Sequence, residues 1–249
     1  MAGHSKWANI QHRKGKADKA KAKLFSKLSK EITVAAKMGA PDPDMNPRLR
    51  LAMNNARAAS MPKDNIQRAI DKAAGGDDAN YEQIRYEGFG PGGVGLIVEC
   101  QTDNRNRAAG DVRAAFTKNG GNLGQTGAVS SGFENVGEIV FPPEAGEEEG
   151  IMMAAIEAGA SDIVSDEDGH TIYTSREELM AVSSALEGKF KVEATSTNLI
   201  WKPLNTVQVA GEDADKLFKM LEVLDDLDDV QNVYSNYELS EEEMARLAG

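Results

Sequence analysis

Gly137 to Trp201 reads GEIVFPPEAGEEEGIMMAAIEAGASDIVSDEDGHTIYTSREELMAVSSALEGKFKVEATSTNLIW, and its periodicities decide the architecture of the chain. Gly137–Phe141 is a short apolar strand pattern, and Glu147–Gly159 carries a helical period that stops at a glycine. Asp162–Ser165 and Thr171–Thr174 are strand-like runs facing each other across the turn Asp166-Glu-Asp-Gly169. Glu177–Gly188 is helical again, and Val192–Trp201 returns to strand. The order βαββαβ is that of a ferredoxin-like unit.

The flanks of this run are incomplete pieces of something else. Before it come strand patterns at Tyr81–Glu87 and Val94–Gln101, a helix at Arg105–Lys118 and strand-like residues around Ala128–Glu134. After it come Thr206–Val209 (strand), Asp213–Leu224 (helix) and Val230–Asn236 (strand). Joined, ββαβ and βαβ make a second α/β unit with the first inserted into it. Upstream lie three helical patterns: a basic helix over Lys16–Met38, Pro47–Ala59 with Asn46 as N-cap before a proline, and Ile66–Ala74. A short helix, Glu241–Leu247, closes the chain. The expected fold class is therefore α+β multidomain, a three-helix domain followed by two α/β sheet domains. The expected divisions are 1–76, a basic helical domain with an N-terminal arm; 77–134 plus 203–239, one α/β domain; 135–202, the inserted domain; and 240–249, the terminal helix.

Charge divides the chain as sharply as periodicity does. Residues 1–75 carry 16 basic and 6 acidic side chains, whereas residues 76–249 carry 12 basic and 34 acidic ones. Between Lys6 and Lys30 there are nine Lys or Arg and one acid, Asp18. On a helical wheel Lys16, Lys19, Lys23, Lys27, Lys30 and Lys37 share one sector, roughly opposite Leu24, Phe25, Leu28, Ile32 and Ala35. A merely solvated face would interleave acids for i,i+4 pairing. A row of ammonium groups without them has the footprint of a polyanion binder. Nucleic-acid contact is therefore expected from Lys6, Trp7, His12, Arg13, Lys14, Lys16, Lys19, Lys23, Lys27, Lys30, Arg48 and Arg50. Trp7 either stacks on an unpaired base or staples the arm to the helices. Arg57, Lys63, Arg68 and Lys72 extend the positive surface.

The remaining motifs carry less chemistry. Gly88-Phe-Gly-Pro-Gly-Gly93 lies between strands and Asn119-Gly-Gly-Asn-Leu-Gly124 follows a helix, so neither fits a phosphate loop opening a helix. Both read as turns, with Phe89, Pro91, Arg105, Arg107 and Asn122 as candidate partner contacts. Asp225-Asp-Leu-Asp-Asp229 reads as a solvated loop. Cys100, the single cysteine, sits in an apolar run and reads as a buried inert thiol. His4 and His12 lack a third ligand, and no nucleophile, His–carboxylate or Cys/His arrangement suggests catalysis. No catalytic residue, metal or cofactor is expected, and a Mg²⁺-dependent nuclease stands only as a minor alternative. No apolar stretch reaches the length of a membrane span, and the basic start lacks the apolar core of a secretory signal, so a cytoplasmic protein is expected. The expected partners are duplex DNA or ribosomal RNA, and possible ribosome or other protein contacts of the acidic domains, with neither membrane nor small-molecule substrate.

Several stretches carry a family resemblance: Ala2-Gly-His-Ser-Lys-Trp-Ala-Asn-Ile-Gln-His-Arg-Lys14, Asp42-Pro-Asp-Met-Asn-Pro-Arg-Leu-Arg50, Met61-Pro-Lys-Asp-Asn-Ile-Gln-Arg-Ala-Ile70, Tyr86-Glu-Gly-Phe-Gly-Pro-Gly-Gly93, Asp103-Asn-Arg-Asn-Arg107 and Gly120-Gly-Asn-Leu-Gly124. Through them the sequence resembles the YebC/PmpR family over nearly its whole length. The resemblance implies a cytoplasmic three-domain protein and a DNA-binding transcriptional regulator. It also admits a ribosome-associated translation factor, since a mitochondrial relative is a translational activator. Two positions depart from the family's pattern. Lys19-Ala20-Lys21 stands where adjacent bases are usual, and Gly39-Ala40 where a glycine pair is usual.

Overall fold

In the computed structural model the described residues are 17–75 and 80–248, with side chains described from Lys21 to Leu247. The chain is mixed α and β, with N-terminal helices followed by sheet domains, as the periodicities require. Two compact units result. Among the described residues, one gathers 80–134 and 201–248, and the other 19–75 and 135–200.

The second of these begins with helix α1 (Ala17–Met38), α2 (Pro47–Ala58) and α3 (Lys63–Ala74). Asn46 explains the sharp corner between α1 and α2. Its Oδ1 accepts from the Leu49 amide at 3.1 Å, as an N-cap should, while its Nδ2 donates to the carbonyls of Ala35 and Ala40, both at 2.8 Å. A Cβ on Gly39 would lie 2.6 Å from that Nδ2, so glycine is what lets the buried amide reach back to α1. Ile32, Ala35, Ala36, Leu49, Ala52, Met53, Ala56, Met61, Ile66, Ala69 and Ile70 form one apolar cluster, the small alanines allowing close helix approach. The two-faced wheel expected for α1 holds in neither half as drawn, although Ile32 and Ala35 are in the core as it places them. Ile32–Ala36 is buried on every side, with Thr33 donating to Ala69 O at 2.8 Å, whereas Leu24, placed in the core by the wheel, is 46% exposed. Periodicity cannot register a helix that is buried all round at one end.

The rest of this unit is the ferredoxin-like motif. It comprises β4 (Phe133–Phe141), α5 (Glu148–Ala158), β5 (Asp162–Asp166), β6 (Gly169–Thr174), α6 (Leu179–Phe190) and β7 (Ser196–Pro203), with sheet order β5-β6-β4-β7. β6 pairs antiparallel with both β4 and β5. Ile139, Phe141, Ile151, Ala154, Ala155, Ile172, Leu179, Val182 and Leu186 fill the space between sheet and helices. β7 is an edge strand, and a helix-borne amide closes part of that edge. Asn55 of α2 accepts from Thr197 N at 3.0 Å and donates to Thr197 O at 2.9 Å and to Asn198 Oδ1 at 2.9 Å.

The other unit is built on β1 (Glu82–Phe89), β2 (Gly95–Thr102), β3 (Asn122–Leu123) and β9 (Val230–Ser235), in the order β3-β1-β2-β9 and antiparallel throughout. Helices α4 (Arg105–Lys118) and α7 (Gly211–Asp226) cover one face, where Leu96, Val98, Phe116, Leu217, Met220 and Leu224 are fully enclosed. β8 (Val207–Gln208) pairs in parallel with β10 (Tyr237–Glu238) as a separate two-stranded ribbon, and α8 (Glu241–Ala248) ends the fold. One strand differs from expectation. The partner after α4 is the two-residue β3, not Ala128–Glu134, whose residues divide between a 3-10 turn at Ser130–Gly132 and the start of β4.

Candidate nucleic-acid interface

Of the residues expected to contact nucleic acid, Lys6, Trp7, His12, Arg13, Lys14 and Lys16 lie outside the described residues, and Lys19 is described only as part of the α1 backbone. Lys23, Lys27 and Lys30 recur along α1 at half-exposed positions. Lys21 is exposed and sets its ammonium 5.7 Å from the centre of the Phe25 ring. On α2, Arg50 and Arg57 are seven residues apart and both exposed, which places them on one line of the helix. Lys63 and Arg68 are exposed on α3. Arg48 is in a different situation. Its guanidinium forks onto Glu31 of α1, Nε to Oε1 at 2.7 Å and Nη2 to Oε2 at 3.0 Å, so it fastens α2 to α1 and its charge is already answered. Acids are sparse here: Glu31, Asp42, Asp44, Asp64 and Asp71 are the only ones from Lys19 to Gly75.

The candidate contacts of the other unit divide the same way. Arg107 donates Nε and Nη2 to the two carboxylate oxygens of Asp229, each at 2.9 Å, and Nη2 also to Asp103 at 2.7 Å. Hydrogen bonds to Asp229 and then to Asp103 push its pKa further above the usual arginine value, so the charge is permanent and committed inside the unit. Asp229, expected to be one of four solvated carboxylates, is instead buried, and its carbonyl accepts from Gln101 N at 2.9 Å. The pair joins residues 122 apart, which no local pattern could reveal. Arg105 is open, its side chain 72% exposed with only a 4.0 Å contact to Glu82.

The glycine motifs explain one another. Gly88 and Phe89 pair with Leu123 and Asn122 in the β1–β3 ladder. A Cβ on Gly88 would sit 2.6 Å from Asn122 O and 2.6 Å from the Phe116 ring, and one on Gly121 would sit 2.6 Å from Phe89 O. The two loops therefore lie backbone against backbone. Gly92, Gly93 and Gly120, at φ of 71°, 78° and 81°, make the turns that bring them there. Pro91 is buried, whereas Phe89 is 38% exposed and Asn122 is exposed.

On the face of this sheet away from α4 and α7 lies a polar cluster that the sequence did not announce. Glu87 is buried, its Oε2 accepting from Val129 N and Ser130 N, both at 2.9 Å, with Arg85 Nε 3.1 Å from Oε1. Burial, the largest single influence, raises its pKa, but the amides of Val129, Ser130 and Gly127 together bring it below the ordinary glutamate value. The Arg85 guanidinium stands 4.7 Å from the centre of the Trp201 ring, and Trp201 Nε1 donates to Glu99 at 3.0 Å. Among the described residues no group of three or more His, Cys, Asp or Glu converges as a metal site would, and no helix is long and apolar enough to cross a membrane. Cys100 is buried.

Comparison with known proteins identifies the family. The family model described as the TACO1/YebC protein N-terminal domain matches residues 5–76, and that described as the TACO1/YebC second and third domain matches residues 81–237. A probable transcriptional regulatory protein of Hyphomonas neptunium is 65% identical over the whole of both chains. One of the same description from Maricaulis maris is 61% identical over 99% of this chain and all of its own. The crystal structure of a conserved hypothetical protein from Aquifex aeolicus superposes with a TM-score of 0.82 at 48% identity, covering 88% of this chain and 91% of that one. With family models matching residues 5–76 and 81–237 and relatives this similar along their full length, the chain belongs to the TACO1/YebC family.

Proposed function

We propose that this protein is a non-enzymatic, DNA-binding regulator of transcription that grips the phosphate backbone through the basic face of its N-terminal helices. The observation that carries the reading is the charge of Lys19–Gly75, twelve bases to five acids, on a chain of net charge −12. Lys23, Lys27 and Lys30 on α1, with Arg50 and Arg57 on α2, supply cations that contact phosphate without reading base identity. The names of the Hyphomonas and Maricaulis relatives support a role in transcriptional regulation. α1 contains lysine and no arginine, and lysine lacks the planar fork that reads guanine edges. That bias favours a second reading, binding of structured ribosomal RNA in translation, because phosphate contact alone suits either polymer.

The test is binding to duplex DNA and to ribosomal RNA across a salt series. If about five phosphates are contacted, log K falls against log salt with a slope near −4. Replacing Lys23, Lys27 and Lys30 by Gln weakens binding and flattens the slope by about 2–3, one contact's worth for each lysine removed. A salt-independent affinity, or full retention of binding by the triple variant, refutes the reading. Incubation of either polymer with Mg²⁺ checks the minor nuclease alternative, for which cleavage is the positive result.

A further inference from the structure

We infer that the solvent face of α4 is a second phosphate-contacting surface, whose occupant is the backbone of duplex DNA. The inference rests on the nucleic-acid reading of the N-terminal helices but concerns a different unit and different residues. Residues 76–249 hold 34 acids and 12 bases, yet α4 alone carries four of those bases, Arg105, Arg107, Arg113 and Lys118, against a single acid, Asp111. Arg107 is committed to Asp229 and Asp103, which also removes Asp103 as a source of repulsion. Arg105, Arg113 and Lys118 are exposed, and Glu82 answers Arg105 only at 4.0 Å. Ala108, Val112, Ala115 and Phe116 fix which side of α4 is buried and so turn Asn106, Gly110, Arg113 and Thr117 outward.

Gly110 is the informative residue on that face. It lies inside a helix with an ordinary negative φ, and a Cβ there would meet nothing within 4 Å. Nothing in the fold calls for glycine, and glycine is among the poorest helix formers. On the helix Gly110 lies about 60° from Arg113, with Ala109 and Ala114 to either side and the exposed Asp111 beyond, while Ala109 is the small residue that falls between Arg105 and Arg113. The two cations are eight residues, about 12 Å, apart along the helix. The chain leaving α4, 119–133, has no charged side chain, and in the neighbouring helix the Glu212 carboxylate is paired with Lys216, whose side chain lies beside Gly120. Two exposed arginines with an alanine between them, and a glycine beside the second, fit a sugar–phosphate strand, which needs close approach and cations to either side.

The experiment uses the full-length protein and a 25-base-pair duplex without designed sequence, titrated over a salt series. Arg105→Gln with Arg113→Gln is expected to weaken binding about fivefold or more and to flatten the salt slope by nearly two contacts, at about 0.9 each. Gly110→Glu, which the open space accommodates, is expected to weaken binding at least as much with no loss of thermal stability, while Gly110→Ala keeps binding intact. Wild-type affinity and slope in the Arg105/Arg113 and Gly110→Glu variants, alongside impaired binding by the Lys23/Lys27/Lys30 variant, overturn the α4 surface and leave the N-terminal reading standing. Failure of the wild-type protein to bind any duplex overturns both. A tenfold preference for double-stranded RNA of the same length overturns DNA as the occupant.

Discussion

Replacing Asn55 by Ala tests how the helices and the inserted motif are joined within their unit. The Asn55 amide satisfies both backbone groups of Thr197, a residue only 6% exposed on the outer edge of β7. Alanine leaves that N–H and C=O without partners, together with Asn198 Oδ1. A poorly hydrated, unpaired backbone group costs about 1–3 kcal/mol, so two at an edge that water can partly reach amount to about 2–3 kcal/mol. For a unit of roughly 130 residues this lowers the melting temperature by about 8–12 °C. Hydrogen exchange gives the local readout: the Thr197 amide should exchange about 30–150-fold faster, the same energy expressed as an opening equilibrium. Asn55→Asp is a sharper version. It keeps an acceptor for Thr197 N but sets a carboxylate against Thr197 O and Asn198 Oδ1. Unchanged exchange at Thr197, with a melting temperature within about 1 °C of wild type, would falsify the proposed role of this amide.

Two further outcomes follow from the sheet of the other unit. The folded pKa of Glu87 lies below its ordinary value of 4.5, so its contribution to stability is present above that value and lost as pH falls through the folded pKa. Glu87→Gln should therefore lower stability at pH 7 and flatten the acid limb of a stability-versus-pH curve; an unaltered acid limb means that Glu87 is not ionised in its buried site. Gly88→Ala places a methyl group 2.6 Å from both Asn122 O and the Phe116 ring, an overpacking expected to cost about 1–3 kcal/mol in urea unfolding, and a neutral result would show that the β1–β3 contact is looser than drawn.

What the sequence made legible is what repeats locally. The βαββαβ motif was readable because alternation, helical period and the turn at Asp166–Gly169 each occupy fewer than about fifteen residues. Asn46 was readable as a cap because Pro47 follows it at the first helical position. The hidden features are pairings across long separations. Arg107 and Asp229 both looked like surface charges, and Asn55 like an unremarkable polar residue on a helix. Glu87 ends a strand pattern with nothing in the sequence to single it out, and it is the segment at Val129 and Ser130 folding over it that buries it. β3 was missed because two residues are too few to show a period. The basic face was legible as composition, but which of its charges are already answered was not, and Arg48 shows why: its partner Glu31 belongs to another helix.

The position of β2 has a consequence for how the protein is made. β2 is a central strand, yet its neighbour β9 lies about 130 residues further along the chain, beyond the whole inserted motif. At a synthesis rate of about 5–20 residues per second, the nascent chain waits roughly 6–26 s between the emergence of the two. Throughout that interval one edge of β2 is unpaired, and Leu96 and Val98 lack the cover that Leu217, Met220 and Leu224 of α7 later supply. The inserted motif, contiguous from β4 to β7, can form its sheet meanwhile. Biogenesis thus leaves an apolar strand edge open on the ribosome for several seconds, and the last fifty residues are the ones that close it.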